Sequence, residues 1–182
     1  MNTELVKVND RFFKKYISAE EISAAVQEIA TKINRDFDGE SVMLLVVLKG
    51  SMIFAADLVR HITIPVSMET VRARSYGHRM ETTGKVELDF TEIDFKDKNI
   101  IIVEDIVDSG LTLQALIAWL LKEAPKSVNV AALLSKPEVR RADVDVKYCG
   151  IEIPPVFVVG YGLDYAELGR NLPEIYALAE AS

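Results

Sequence analysis

The stretch Ile100-Ile101-Ile102-Val103-Glu104-Asp105-Ile106-Val107-Asp108-Ser109-Gly110-Leu111-Thr112 decides how the rest of the chain is read. Residues 100–103 are apolar and β-branched, the composition of a strand buried on both faces. Two adjacent acids close that strand. A short turn then supplies a third acid, a hydroxyl, a glycine and a second hydroxyl just as a helix begins. Leu113, Leu116, Ile117 and Leu120 share one face of a helix expected over 111–123, and Pro125 lies beyond its end. A buried strand turning directly into an apolar-faced helix is the building unit of parallel α/β sheets.

The flanking sequence repeats that unit. Ser18 and Glu21 form a capping-box pattern, and Ile22, Val26, Ile29 and Ile33 recur at helical spacing over 19–36. The apolar run 42–48 predicts a second buried strand, Lys49-Gly50-Ser51 a turn, and 52–61 a helix packed back on the sheet. Pro65 opens a strand over 66–71, and further strands are expected at 86–91, 128–134 and 156–159. Residues 72–85 differ in kind: they are polar, contain two glycines and lack apolar periodicity. Such a loop in a compact domain is commonly a lid. The expected class is α/β, a parallel, doubly wound sheet with flanking helices, in one domain without internal repeats.

Bulk properties narrow the partners. With 28 acids against 21 bases the 182-residue chain carries a formal charge of −7, which disfavours nucleic acid and membrane surfaces. A chain of this length buries a continuous core without a disulfide or a structural metal. The single cysteine, Cys149, reads as apolar filler near a strand. Residues 1–15 lack the apolar stretch of a signal peptide and no run is long enough to span a bilayer, so a cytoplasmic location is the default expectation. His61 and His78 lack metal-ligand spacing, and Trp119 reads as helix packing. Neither a Walker loop nor a G-x-G-x-x-G occurs, which leaves nucleoside triphosphatase and dinucleotide readings unsupported.

The chemistry of the 104–112 corner is specific. Ligands of open α/β sheets bind at the carboxyl ends of the strands, where this turn must lie. A helix start offers free N–H groups and a positive dipole end to a phosphate, and Ser109, Gly110 and Thr112 add hydroxyls and close backbone approach. Glu104 and Asp105 would repel that phosphate unless they face hydroxyls or a cation. A sugar phosphate satisfies both halves. A helix cap alone needs one such residue, not two consecutive acids and a third.

The same corner resembles the phosphoribosyl pyrophosphate motif of the type I phosphoribosyltransferases, and its wording from Val103 to Gly110 is most similar to their hypoxanthine-guanine branch. Four more segments match in the same order. Leu48-Lys49-Gly50-Ser51 resembles the pyrophosphate loop, in which the peptide before the lysine is typically cis. Arg74-Ser75-Tyr76 resembles the start of the closing loop. Lys136, in Leu134-Ser135-Lys136-Pro137, resembles the lysine that contacts a purine 6-oxo group. Phe157-Val158-Val159-Gly160-Tyr161-Gly162-Leu163-Asp164-Tyr165, followed by Glu167 and Arg170, resembles the base-binding loop. Leu111 departs from relatives that carry a lysine there.

The resemblance implies the type I phosphoribosyltransferase fold: a core over about 37–150, a small hood from the N-terminal segment and 151–182, and a lid over 72–85. It implies purine salvage, with transfer of the 5-phosphoribosyl group to hypoxanthine, and guanine, giving IMP or GMP and pyrophosphate. Alternatives are a phosphoribosyltransferase for xanthine or another base, and a non-catalytic sensor of phosphoribosyl pyrophosphate. Asp108 is the expected catalytic base. Glu104, Asp105, Asp108, Ser109, Gly110, Leu111 and Thr112 are expected to hold the ribose and 5′-phosphate. Leu48, Lys49, Gly50, Ser75, Tyr76 and Arg170 are assigned to pyrophosphate, and Lys136, Phe157, Val158 and Asp164 to the purine. Mg²⁺ is the implied cofactor, held through Glu104, Asp105 and Asp164, and a homodimer or homotetramer the implied assembly. Taken outside this pattern, Lys136 would read as a solvated lysine and Phe157 as core.

Overall fold

The computed structural model of the protein describes residues 5–75, 86–88 and 93–179. The chain opens with strands β1 (Leu5–Val8) and β2 (Arg11–Ile17) and helix α1 (Ala19–Asp36). Strand β3 (Val42–Leu48), helix α2 (Met52–His61) and strands β4 (Val66–Ser75) and β5 (Val86–Leu88) follow. Then come β6 (Asn99–Val107), α3 (Leu111–Leu120), β7 (Ser127–Ser135), β8 (Tyr148–Glu152), β9 (Val158–Val159) and β10 (Ile175–Leu178).

Six strands form the main sheet in the order β5-β4-β3-β6-β7-β8. β4, β3, β6, β7 and β8 run parallel, and β5 adds an antiparallel edge. Alternating residues of β3 and β6 point to opposite faces, as strand geometry requires. Leu44, Val46, Ile101 and Val103 join Ile29, Ile33 and Leu58 of α1 and α2 on one side. Met43, Leu45, Val47, Ile100 and Ile102 meet Leu113, Leu116 and Leu120 of α3 on the other. The apolar runs are therefore continuous because both faces are covered. Ser18 caps α1 as the sequence indicates, accepting the Glu21 N–H while the Glu21 carboxylate accepts the Ser18 N–H.

A second, four-stranded sheet, β1-β2-β10-β9, joins the two ends of the chain. Phe13 and Val159 are fully buried in it, beside Val8 and Tyr176.

Several boundaries differ from the sequence expectations. β4 continues past 71 to Ser75 because β5 pairs with its last three residues. α3 is α-helical only to Leu120; its last turn tightens into a 3-10 turn over Leu121–Glu123, and Ala124 ends it in the left-handed region. β1, β2, β8 and β10 fall outside the strands that the sequence predicts. Asp143 and Asp145 lie in irregular chain that leads into β8.

Candidate active site

β3 lies between β4, the strand that follows it in sequence, and β6, so the winding reverses at the β3–β6 junction. That reversal opens a crevice at the strands' carboxyl ends, the usual ligand position in such sheets. The sequence expectation ends the strand before the acids, but β6 carries on through Glu104 and Asp105 to Val107. Its pairing with β3 stops at Val103, whereas its pairing with β7 continues through Glu104, Ile106 and Val107. The acids thus sit on a strand that one neighbour holds and the other has left.

The loop after β3 fills that gap. The Leu48-Lys49 peptide is cis. Gly50 approaches Asp105 so closely that a Cβ on it would lie 1.6 Å from Asp105 Oδ2, so a side chain there would have to displace that carboxylate. The segment around Gly162 also comes close: a Cβ on Gly162 would lie 2.1 Å from the Gly50 carbonyl oxygen. Three segments far apart in sequence therefore meet at Gly50.

The electrostatics of the acid pair follow from this crowding. Burial pushes the Glu104 carboxyl well above the usual carboxylate range, and the neighbouring Asp105 adds to the rise. Burial likewise raises Asp105, to about 6, against the opposing pull of the Ile106 N–H, which it accepts at 2.8 Å, and of Arg170. Glu104 Oε2 is buried and has no hydrogen-bond partner, as has Arg170 Nε. Buried polar atoms are rarely left so, and Arg140 Nε is a third such atom.

The remaining residues surround this centre. Asp108 and Ser109 form the turn, Gly110 caps α3 from the left-handed region without a side-chain cap bond, and Leu111 and Thr112 begin the helix. The amides of that first turn are thus free of side-chain caps, apart from a 3.5 Å contact of the Leu111 N–H with Ser109 Oγ. Lys136, at the end of β7, is buried to 9% exposure, and its ammonium lies 2.8 Å from Asp108 Oδ1. Lys49 pairs with Glu167 at 2.7 Å. Arg170 pairs with Asp164 at 2.7 Å and donates to the Gly162 carbonyl at 2.8 Å.

Phe157 is not the core residue its position in sequence would suggest in isolation. It is 46% exposed, with its ring against Tyr165 at 5.9 Å, edge to face, and Phe13 at 6.3 Å. Val158 follows it in β9, buried and paired with Ala177. Ser75 ends β4, and Tyr76 lies outside the described residues. Two residues without an assigned role stand out: Glu167, as the partner of Lys49, and Asp57, which accepts a hydrogen bond from the Tyr161 hydroxyl. No spacing in the sequence links Asp57 with Tyr161.

Among the described residues no cluster of three or more His, Cys, Asp or Glu side chains could hold a metal, so Glu104, Asp105 and Asp164 are not a ready-made cage. Among the same residues no helix is long and apolar enough to cross a membrane.

The phosphoribosyl transferase domain family matches residues 15–166, which span the parallel sheet and both acids. Hypoxanthine-guanine phosphoribosyltransferases of Bacillus subtilis and Dictyostelium discoideum are 39% and 43% identical to this chain, over 92% and 88% of it and 94% and 92% of their own lengths. A crystal structure of a hypoxanthine-guanine phosphoribosyltransferase from Bacillus anthracis, with a HEPES molecule in its active site, superposes with a TM-score of 0.87. It is 45% identical over 95% of this chain and 100% of its own. The chain belongs to the hypoxanthine-guanine phosphoribosyltransferases.

Proposed function

We propose that the protein transfers the 5-phosphoribosyl group of phosphoribosyl pyrophosphate to hypoxanthine, and to guanine, releasing pyrophosphate and the nucleotide, a purine-salvage reaction. The observation that carries this reading is the Glu104–Asp105 pair, whose buried Oε2 lacks a donor beside an uncapped helix start. Ribose 2′- and 3′-hydroxyls would supply the missing donors, and the Asp108-to-Thr112 turn would take the 5′-phosphate on its amides and hydroxyls.

The base end follows from residue chemistry. The half-exposed Phe157 ring, packed at right angles to Tyr165, offers apolar aromatic surface to a purine. Lys136 is a pure donor, so it donates to a 6-oxo oxygen and opposes a 6-amino group. The Val158 backbone would meet the base edge. As the purine nitrogen attacks the anomeric carbon, the new N–C bond forms while the C–O bond to pyrophosphate breaks and the oxygen keeps the electron pair. Asp108 would take or share the proton that the base gives up at N7. The Lys136–Asp108 contact at 2.8 Å keeps both groups oriented, and the entering base would insert its oxo and N7 edge between them.

At the other end, the Lys49 and Gly50 amides, Arg170 and the closing segment around Ser75 and Tyr76 would hold the pyrophosphate. The donor set suits Mg²⁺, an ion usually bound by one or two carboxylates, waters and substrate phosphates rather than by a protein cage. Glu104, Asp105 and, through water, Asp164 are the carboxylates that would hold it, and the ion would neutralise charge developing on the leaving group. Excluding water matters because water would hydrolyse the activated sugar, and the 72–85 segment is the candidate lid. The whole chain would act as one domain, its small sheet forming a hood over the main one, in a homodimer or homotetramer in the cytoplasm.

Incubating the protein with phosphoribosyl pyrophosphate, Mg²⁺ and a mixture of purine and pyrimidine bases tests this directly. IMP and GMP are the expected products. Formation of AMP or UMP alone would overturn the assignment.

A further inference from the structure

The base-binding segment holds a backbone path that the chain would not choose by itself. Gly160, Tyr161 and Gly162 have φ of 101°, 49° and 99°, three consecutive residues in the left-handed half of conformational space. The glycines are there because each faces backbone: Gly160 lies against the Glu174 carbonyl and Gly162 against the Gly50 carbonyl. Tyr161 has no such excuse. A bulky residue at positive φ is uncommon and persists only where its surroundings hold it.

Those surroundings are provided by α2. The Tyr161 side chain is buried, at 8% exposure, and its hydroxyl donates to Asp57 Oδ2 at 2.7 Å. The other carboxylate oxygen of Asp57, Oδ1, takes Arg60 NH1 at 2.6 Å, which fixes the plane of the acceptor. Burial and the Asp57 charge both raise the Tyr161 pKa, so the hydroxyl stays a donor. Backbone bonds secure the same segment on its other side, from the Tyr161 N–H to the Leu172 carbonyl at 2.8 Å and from the Gly162 N–H to the Arg170 carbonyl at 3.0 Å.

The position of this contact gives it a consequence. α2 begins at Met52, directly after the Lys49-Gly50-Ser51 turn. Tyr161 stands midway between Phe157 and Val158 on one side and Asp164 and Arg170 on the other. The Tyr161–Asp57 bond therefore ties the segment expected to carry the base to the helix that directly follows the expected pyrophosphate loop. Neither residue is among those expected to touch substrate. Both line a cavity of about 450 Å³ with Ile53, Arg60 and Asn171, which shares none of the residues expected to touch substrate.

We propose that Tyr161 and Asp57 are positioning residues that set the base-binding loop in register with the pyrophosphate loop, a role that rests on the phosphoribosyl-transfer reading above. The pin matters because transfer requires the purine nitrogen and the leaving oxygen on opposite sides of one carbon. A small misplacement between the loops carrying them weakens the reaction more than it weakens the fold.

Three variants of the full chain, Tyr161→Phe, Asp57→Ala and Asp57→Asn, test this by kinetics with both substrates, thermal unfolding and hydrogen exchange. A lost hydrogen bond to a charged acceptor sets the expected scale at about tenfold. Tyr161→Phe and Asp57→Ala should each lower kcat/KM for phosphoribosyl pyrophosphate about tenfold, the double variant no further. Asp57→Asn keeps an acceptor oxygen for Tyr161 and should retain most of the turnover; the surface ion pair it loses is worth little. Amide exchange over residues 157–164 should speed up in Tyr161→Phe. Wild-type kinetics in Tyr161→Phe, a lowered melting temperature with unchanged kinetics, or an Asp57→Asn variant as impaired as Asp57→Ala would each overturn the proposal. Exchange is read without any reaction: if the wild-type protein forms no nucleotide, the functional reading fails, while unchanged exchange in Tyr161→Phe sinks the pin itself.

Discussion

Asp105 is an acid kept in a place that suits its neutral form, and replacing it by Asn should expose the cost. Burial raises its carboxyl from an ordinary 3.8 to about 6. At neutral pH that difference corresponds to at most about 3 kcal/mol, since one pH unit is worth about 1.4 kcal/mol. Residual solvent contact screens part of it, so a gain of about 1–3 kcal/mol is expected for Asp105→Asn. The amide oxygen can still accept the Ile106 N–H, so that bond is kept. The sign follows from proton linkage. Between about pH 4 and pH 6 the folded protein retains a proton that the unfolded chain has released, so wild-type stability falls as pH rises through that window. The advantage of the variant should be complete above pH 6 and absent near pH 4. Urea unfolding from pH 4 to pH 8 reads this directly, with a melting-temperature gain of roughly 2–12 °C at pH 8 for a chain of this size. The same variant should bind the sugar phosphate about tenfold more weakly, because the charged acceptor for a ribose hydroxyl is gone. A variant no more stable than wild type at pH 8, or one whose advantage grows towards acid, would refute the reasoning.

Three further changes probe separate parts of the account. Gly50→Ala should abolish detectable nucleotide formation, because its Cβ would land 1.6 Å from Asp105 Oδ2, and steady-state assays with folded protein check this. Asp108→Asn should slow turnover by about 10²–10⁴-fold, the range for a lost general base, while calorimetry finds nucleotide binding largely intact. Ser18→Ala should cost about 1 kcal/mol by urea unfolding without altering kinetics, since it removes half of a capping box remote from the acids.

The parts of the fold legible in the sequence are those whose signals are local. The apolar run at 42–48 is β3 to the residue, and the Ser18–Glu21 pattern marks the start of α1. The small sheet was not legible because its partners lie at opposite ends of the chain: Ile17 pairs with Ile175, and β2 buries only Phe13 and Ile17 on its inner face. β8 is disguised by Gly150, whose missing side chain leaves room for the Leu133 carbonyl. Within the site, residue types could be read from motif order, but their pairings could not. Lys136 with Asp108, Lys49 with Glu167 and Gly50 with Asp105 join segments that only the sheet topology brings together. The continuation of β6 through its acids depends on β7 outlasting β3 as a partner, which no property of residues 104–107 announces.

A crystal structure of the protein with IMP and Mg²⁺ bears most directly on the central claim. The expected result is a ribose whose hydroxyls meet Glu104 and Asp105, a phosphate on the amides of 108–112, and a purine against Phe157 with its oxo group at Lys136. A nucleotide seated elsewhere, with both carboxylates turned away from it and the start of α3 bare, would contradict the account.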